Sequence, residues 1–227
     1  MEIKQFKIRC SAIGEIMSAK GELTQTNKTW LDIWMKEQIY NRKKEFTSKY
    51  TDKGNIMEDH AIDFVAEKLN LGLAFKNDRE FENDYLTGTP DLIFPDKNLI
   101  IDIKCSWDCF TFPLFGSELP NKDYYYQAQG YMELANIDNY KVAYVLIDTP
   151  SSIIEREAWY LSKNSGFDFE ETLEELERKL TYNDVTDPVL KLKTFNVERN
   201  RDVVDNIYRK VDKCREYIKD NLFIFST

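Results

Sequence analysis

Residues 88–104 read Gly-Thr-Pro-Asp-Leu-Ile-Phe-Pro-Asp-Lys-Asn-Leu-Ile-Ile-Asp-Ile-Lys, which is two apolar runs separated by polar residues. The runs 86–94 and 98–106 are rich in the residue types that favour strands, and residues 96–98 are typical of a turn. The stretch therefore predicts a β-hairpin. Because side chains alternate along a strand, Asp102 and Lys104 fall on one face.

The hairpin can bring Asp91 to the same end of the sheet as these two side chains. Buried charges are costly unless they are paired, so charged groups on apolar strands indicate a site. A structural ion-pair cluster is the alternative. Mg²⁺ prefers oxygen ligands, which Asp91, Asp102 and the Ile103 carbonyl can supply. Lys104 can then hold or deprotonate a water, or neutralise charge on a phosphate.

The remaining sequence predicts an α/β fold, with a mixed central sheet flanked by helices. Further helices are expected at both ends, in one domain with its core at about 8–148 and an extension at 149–227. The predicted core order is helix 57–69, strands 74–81, 86–94 and 98–106, helix 123–135 and strand 141–148. Outside the core, we expect helices at 11–18, 28–46, 168–182 and 197–222 and a strand at 156–161.

A family resemblance rests on Pro90-Asp91 followed by Asp102-Ile103-Lys104, which resembles the motif of the PD-(D/E)XK nucleases. The order of predicted elements is similar to the restriction-endonuclease-like core of that superfamily. The motif alone is short, but the context makes it more specific. The resemblance implies a DNA-cleaving enzyme that uses Mg²⁺, with Mn²⁺ as a possible substitute.

The resemblance narrows to the phage lambda exonuclease-like branch. Gly54, Glu58 and Ala61 match its acidic helix, and Gln127 with Tyr131 matches its helix after the third strand. This implies that Glu58 is an additional metal ligand. It also implies that Gln127 orients Lys104 or touches the phosphate, and that Tyr131 lies at the DNA.

Further DNA contacts are expected outside this core pattern. The segment from Arg9 to Gly14 resembles the part that contacts a DNA 5′ phosphate in relatives, which implies Arg9 and Ser11 as contacts. The spacing there departs from the branch's pattern. Lys43 and Lys44, in a basic cluster near the end of the helix predicted at 28–46, are candidate contacts with the DNA backbone.

The resemblance implies a 5′→3′ double-strand exonuclease that serves phage recombination and works with a single-strand annealing protein. Relatives form ring-shaped trimers, so a homo-oligomer is expected. An endonuclease of the same superfamily for restriction or repair, and a catalytically silent nucleic-acid-binding protein on the same fold, remain alternatives. The predicted element order disfavours an unrelated metal-dependent hydrolase.

Composition limits the class of protein. The 227 residues carry a net charge of −9, which argues against unaided binding to nucleic acid, although local patches and metal ions can offset it. The sequence has no apolar run of the ~20 residues that a membrane helix needs. The N-terminal residues also lack a signal-peptide core. We therefore expect a cytoplasmic protein with reduced cysteines, inside a bacterial host if it is phage-encoded.

Overall fold

The computed structural model describes residues 4–17, 21–45 and 48–223. Seven strands and seven α-helices follow one another in these parts of the chain. The strands are β1 (Ile8–Arg9), β2 (Phe81–Glu82), β3 (Leu86–Gly88), β4 (Leu92–Phe94), β5 (Leu99–Cys105), β6 (Asn139–Val145) and β7 (Leu192–Glu198). The helices are α1 (Gln25–Tyr40), α2 (Lys49–Ile56), α3 (Glu58–Lys68), α4 (Lys122–Ala135), α5 (Ser151–Ser165), α6 (Phe169–Leu180) and α7 (Arg201–Phe223).

The central sheet has four strands in the order β4-β5-β6-β7. Strands β5 and β6 run parallel, while β4 and β7 are antiparallel to their neighbours, so the sheet is mixed as predicted. Leu92 pairs with Ile101 and Phe94 with Leu99, which confirms the hairpin. One step further along this ladder, Asp91 reaches the level of Asp102.

A second sheet corrects the prediction of three long strands. Residues 86–94 are two strands, because β3 pairs with β1 and β2 in a small sheet whereas β4 joins the central one. The break falls at Pro90, which has no N–H to donate to a ladder. The strand predicted at 74–81 is wrong over most of its length, since only Phe81–Glu82 is a strand.

Helices cover both faces of the central sheet. On one face, α3 packs Ala61, Ile62 and Val65 against a group of strand residues (Leu92, Ile101, Ala143 and Val145). On the other face lies the larger core, to which α1, α4 and α7 contribute. The fold class predicted from the sequence is therefore confirmed.

The C-terminal extension takes part in the central sheet. The strand predicted at 156–161 is wrong, because these residues lie within α5, which buries Ile153, Ile154 and Ala158. The sheet instead gains β7, which pairs with β6 and was not predicted. The last helix begins at Arg201 rather than at 197. The predicted helix at 168–182 is confirmed as α6.

The N-terminal helices differ from the prediction in their bounds. Residues Cys10–Glu15 form a 3₁₀ helix, and the predicted end at Ser18 lies outside the described residues. Helix α1 begins after the Thr24 cap and ends at Tyr40, and the next residue, Asn41, has a left-handed φ of 49°. Its predicted end at Phe46 also lies outside the described residues. Within the described ranges, no helix is both long enough and apolar enough to cross a bilayer.

Candidate active site

A cleft of about 520 Å³ opens at the carboxyl end of β5. Helices α2 and α3 form one wall of this cleft, through residues that include Tyr50, Asn55 and Glu58. The other wall is formed by the end of β5 and by Tyr124 of α4. Asp91, Ile103 and Lys104 line the cleft, so the hairpin predicted from the sequence delivers Asp91 and Lys104 to a cavity of ligand size.

The most buried part of the site is an ion pair on β5. Lys104 Nζ lies 2.7 Å from Asp102 Oδ2, and Asp102 is only 1% exposed. Burial alone would lower the pKa of Lys104, but the charge and hydrogen bond of Asp102 raise that pKa above its usual value. Lys104 therefore carries its proton at neutral pH. This suits stabilisation of negative charge better than proton abstraction.

Asp91 lies just before β4 and faces the same group. Its Oδ2 accepts a hydrogen bond of 2.8 Å from the Ile103 N–H. Burial, and then the negative charge of Asp102, raise the pKa of Asp91 to about 7, against the opposing effects of Ile103 and Lys104. Negative charge at this position is thus costly without a further cation.

The donor atoms fit Mg²⁺. The N–H and the carbonyl of a strand residue point to the same side, so the Ile103 carbonyl faces the side on which Asp91 lies. Among the described residues, no three His, Cys, Asp or Glu side chains converge into a complete metal cage. Mg²⁺ does not need one, because it keeps several waters and is commonly bound through one or two carboxylates. Asp91, Asp102 and the Ile103 carbonyl are the residues that would hold it.

Glu58 stands on the opposite wall, at the first position of α3. The family resemblance implied a metal ligand here, and the side chain does line the cleft. In the structure its carboxylate pairs with Lys76 Nζ at 2.5 Å. This ion pair would compete with a metal ion beside Asp91 for the Glu58 carboxylate.

Gln127 and Tyr131 occupy α4 behind the ion pair. Gln127 Nε2 donates to Asp102 Oδ1 at 3.3 Å and to the Tyr131 hydroxyl at 3.4 Å. It therefore meets Lys104 through Asp102, and its expected role of orienting Lys104 or touching the phosphate stays a prediction. Tyr131 is 6% exposed and stacks on Tyr140 with ring centroids 6.4 Å apart. A Cβ on Gly88 would lie 2.5 Å from the Tyr131 ring. This packing places Tyr131 in the core rather than on a surface that could face DNA.

The four basic or polar residues predicted to touch DNA are exposed but do not line the cleft. Arg9 lies on β1 opposite Thr87, and Ser11 is in the 3₁₀ helix that follows. Lys43 and Lys44 follow α1. Their contact with DNA stays a prediction, and such a contact would lie away from the cleft.

Sequence reasoning missed two lysines and one helix of the site. Lys76 falls in the strand predicted at 74–81, but it lies within an irregular segment and its Nζ donates to Glu58. Helix α2 has no apolar periodicity, and its one buried residue is Lys53. Its only sequence signal is Ser48, which caps the helix by accepting from the Thr51 N–H.

The fold and the site define a restriction-endonuclease-like α/β protein with a buried carboxylate–lysine centre. Comparisons with models of protein families and with curated protein sequences find no match. Among solved structures, the chain is similar to a phage-related exonuclease from Haemophilus somnus 129PT. That similarity has a TM-score of 0.81 and 28% identity, and covers 99% of this chain and 98% of the other.

A second likeness shares the fold alone. It is to the alkaline exonuclease LHK-Exo from Laribacter hongkongensis, with a TM-score of 0.63, 13% identity, and 97% and 91% of the two chains covered. The same enzyme in complex with dAMP matches equally well. The similarity to the phage-related exonuclease confirms the resemblance to lambda exonuclease-like PD-(D/E)XK nucleases that was expected from the sequence.

Proposed function

We propose that this chain is a Mg²⁺-dependent DNA nuclease, and that it acts as a 5′→3′ exonuclease on double-stranded DNA. The observation that carries the proposal is the Asp102–Lys104 ion pair, in which Asp102 is buried while Lys104 lines the cleft together with Asp91. Charges buried in this way, with one carboxyl pKa raised to about 7, are typical of functional sites.

The residues of the cleft have separate roles in this reaction. Mg²⁺, when bound, polarises the scissile phosphate and lowers the pKa of a water. Asp91, Asp102 and the Ile103 carbonyl are the groups that would hold that ion. Lys104, which is protonated, neutralises the negative charge that develops on the phosphate. Gln127 fixes the Asp102 carboxylate in place.

An exonuclease is favoured over an endonuclease by the similar structures, which are named as exonucleases. The likeness to the Haemophilus somnus protein covers 99% of this chain and 98% of the other. The Laribacter enzyme in complex with dAMP has a mononucleotide as its ligand, which is the product that stepwise removal of nucleotides would give.

The biological setting follows from the same resemblance. We infer a role in phage recombination, in which the exonuclease leaves a single-stranded tail for an annealing protein. A ring-shaped homo-oligomer, such as a trimer, would enclose DNA and would compensate for the net charge of −9. Light scattering after size-exclusion chromatography measures this, and a monomer at micromolar concentration would contradict the ring.

The test of the proposed function uses 5′-phosphorylated linear duplex beside covalently closed circular duplex. Each is incubated with Mg²⁺, Mn²⁺ or EDTA, with wild type and Lys104→Ala. We expect metal-dependent loss of the linear DNA only, and none with the variant. Cleavage of the closed circle would establish an endonuclease. If wild type left both substrates intact, the proposal would be wrong and the silent binding protein would be favoured.

A further inference from the structure

A lysine is completely buried beside the cleft. Lys53 of α2 is 0% exposed, although lysine is among the residues least often buried. Its Nζ donates to three backbone carbonyls: Ser106 at 2.8 Å, Trp107 at 3.1 Å and Ile147 at 2.8 Å. All three protons of the ammonium group therefore have acceptors, which accounts for its burial.

These carbonyls lie where the chain leaves the sheet after two neighbouring strands. Ser106 and Trp107 follow β5, and Ile147 follows β6, which runs parallel to it. Lys104 lies only two residues before Ser106. One ammonium group thus joins α2 to the ends of both strands, directly after the lysine that we place at the phosphate.

The wall of the cleft that α2 forms is held from a second side as well. Lys49 pairs with Glu157 at 3.0 Å, and Asp52 pairs with Arg156 at 2.7 Å, which ties α2 to α5. These two ion pairs are partly solvent-accessible and contribute little individually. The buried Lys53, by contrast, is bonded to backbone that follows β5 and β6, and so ties α2 to the sheet itself.

We propose that Lys53 is a positioning residue for the nuclease reaction. By holding α2 against the carboxyl ends of β5 and β6, it sets the distance between Lys104 and the α2 residues on the opposite wall. The inference rests on the proposed function. Displacing a reacting group by about 1 Å can cost about 10²-fold in rate, so this scaffold affects kcat rather than binding of DNA.

The chain provides a matched control in Lys210 of α7. Lys210 is 1% exposed and its Nζ donates to the Glu22 carbonyl at 3.0 Å, so it is also a buried lysine bonded to backbone. It does not line the cleft. Loss of its charge should weaken the fold without moving Lys104.

The experiment compares wild type with Lys53→Met and Lys210→Met, which keep side-chain length but remove the donors. Measured for each are the melting temperature, the kcat and KM on linear duplex, and hydrogen–deuterium exchange. Both variants should melt at lower temperature. Lys53→Met should lose on the order of 100-fold in kcat, with KM within about threefold, while Lys210→Met keeps its kcat. Exchange should rise in α2 and after β5 only for Lys53→Met.

Three results would overturn the inference. They are a kcat of Lys53→Met within about twofold of wild type, an equal kcat loss in Lys210→Met, and unchanged exchange in α2. If Lys53→Met does not fold, Lys53→Gln, which retains two N–H donors, is judged by the same criteria. If wild type cuts no DNA, the proposed function fails, and the exchange comparison alone still decides whether Lys53 holds α2.

Discussion

The two walls of the cleft differ in how completely their charges are fixed. On the β5 wall, Asp102 is 1% exposed and is held by Lys104 and Gln127. On the α3 wall, the Glu58 side chain is 31% exposed and its partner Lys76 is 44% exposed. The β5 wall is therefore organised before any ligand binds, while the α3 wall can exchange one ionic partner for another. We therefore assign the proposed reaction to the β5 wall, and we expect the side chains of the α3 wall to rearrange when a ligand binds.

The largest effect expected from this difference is that of Asp102→Asn. The substitution keeps the shape but removes the charge that holds Lys104 and would bind the metal. We expect the initial rate of nucleotide release to fall on the order of 10³-fold. Glu58→Gln, on the adjustable wall, should cost only about 10–100-fold. If Asp102→Asn and Glu58→Gln both fold and lose the same factor in rate, the two walls do not differ in this way.

A smaller effect is expected for Gln127→Ala, because Gln127 acts through Asp102. We predict a loss of roughly tenfold in kcat. Gln129→Ala is the control, since Gln129 is also buried on α4 but donates to the Glu198 carbonyl and accepts from the Asn200 N–H, away from the cleft. It should lower the melting temperature and leave kcat unchanged. A loss of kcat in Gln129→Ala but not in Gln127→Ala would contradict the role of Gln127 in positioning Asp102.

The pH dependence of stability tests Asp91. Its folded-state pKa is raised from the ordinary 3.8 to about 7, so the native state binds the proton more tightly than the unfolded chain. This group's contribution to the free energy of unfolding therefore falls as pH rises from about 4 to about 7. In EDTA, the melting temperature of Asp91→Asn relative to wild type should increase between pH 5 and pH 8.

Mg²⁺ should reverse the difference in melting temperature between Asp91→Asn and wild type. At pH 8 the ion should stabilise wild type, whose Asp91 is then charged, and should stabilise Asp91→Asn much less. A melting-temperature difference that stays constant from pH 5 to pH 8 in EDTA would show that the buried carboxyl does not titrate as described.

The smallest effect is expected for Lys76→Met on the α3 wall. Removal of a half-exposed ion pair worth up to about 1 kcal/mol frees Glu58, so Mn²⁺ affinity should rise by up to about fivefold. Calorimetric titration measures this. Lys68→Met, which breaks the exposed pair with Glu67 on the same helix, should leave the affinity unchanged. Weaker Mn²⁺ binding by Lys76→Met would mean that Glu58 does not turn to the ion.

The parts of the fold that could be predicted from the sequence are those whose residue pattern within the segment itself indicates the structure. Residues 98–106 are mostly apolar, apolar residues alternate with Asp102 and Lys104 over 101–105, and the adjacent turn fixes the hairpin. By contrast, β7 depends on pairing with β6, a strand that is distant in sequence. Residues Arg156–Leu161 have the composition of a strand but lie in α5, because tertiary context outweighs strand propensity.

The site also has residues that the local sequence predicts and residues that only tertiary contacts reveal. Asp91, Asp102 and Lys104 follow from the motif and from strand alternation, and the structure brings them together. Lys53 could not be found in this way, because nothing in the polar sequence of α2 indicates that its lysine is buried. Its role depends on three carbonyls from two other strands' ends, which only the folded chain assembles.

The most direct test of the central claim is single-turnover cleavage by Lys104→Met on 5′-phosphorylated linear duplex with saturating Mg²⁺. DNA affinity is measured in parallel with Ca²⁺ in place of Mg²⁺. A protonated Lys104 that stabilises charge on the phosphate predicts a rate lower by at least about 100-fold, with DNA affinity within about threefold of wild type. An unchanged cleavage rate, or a loss explained entirely by weaker DNA binding, would contradict the assignment of the chemistry to the β5 wall.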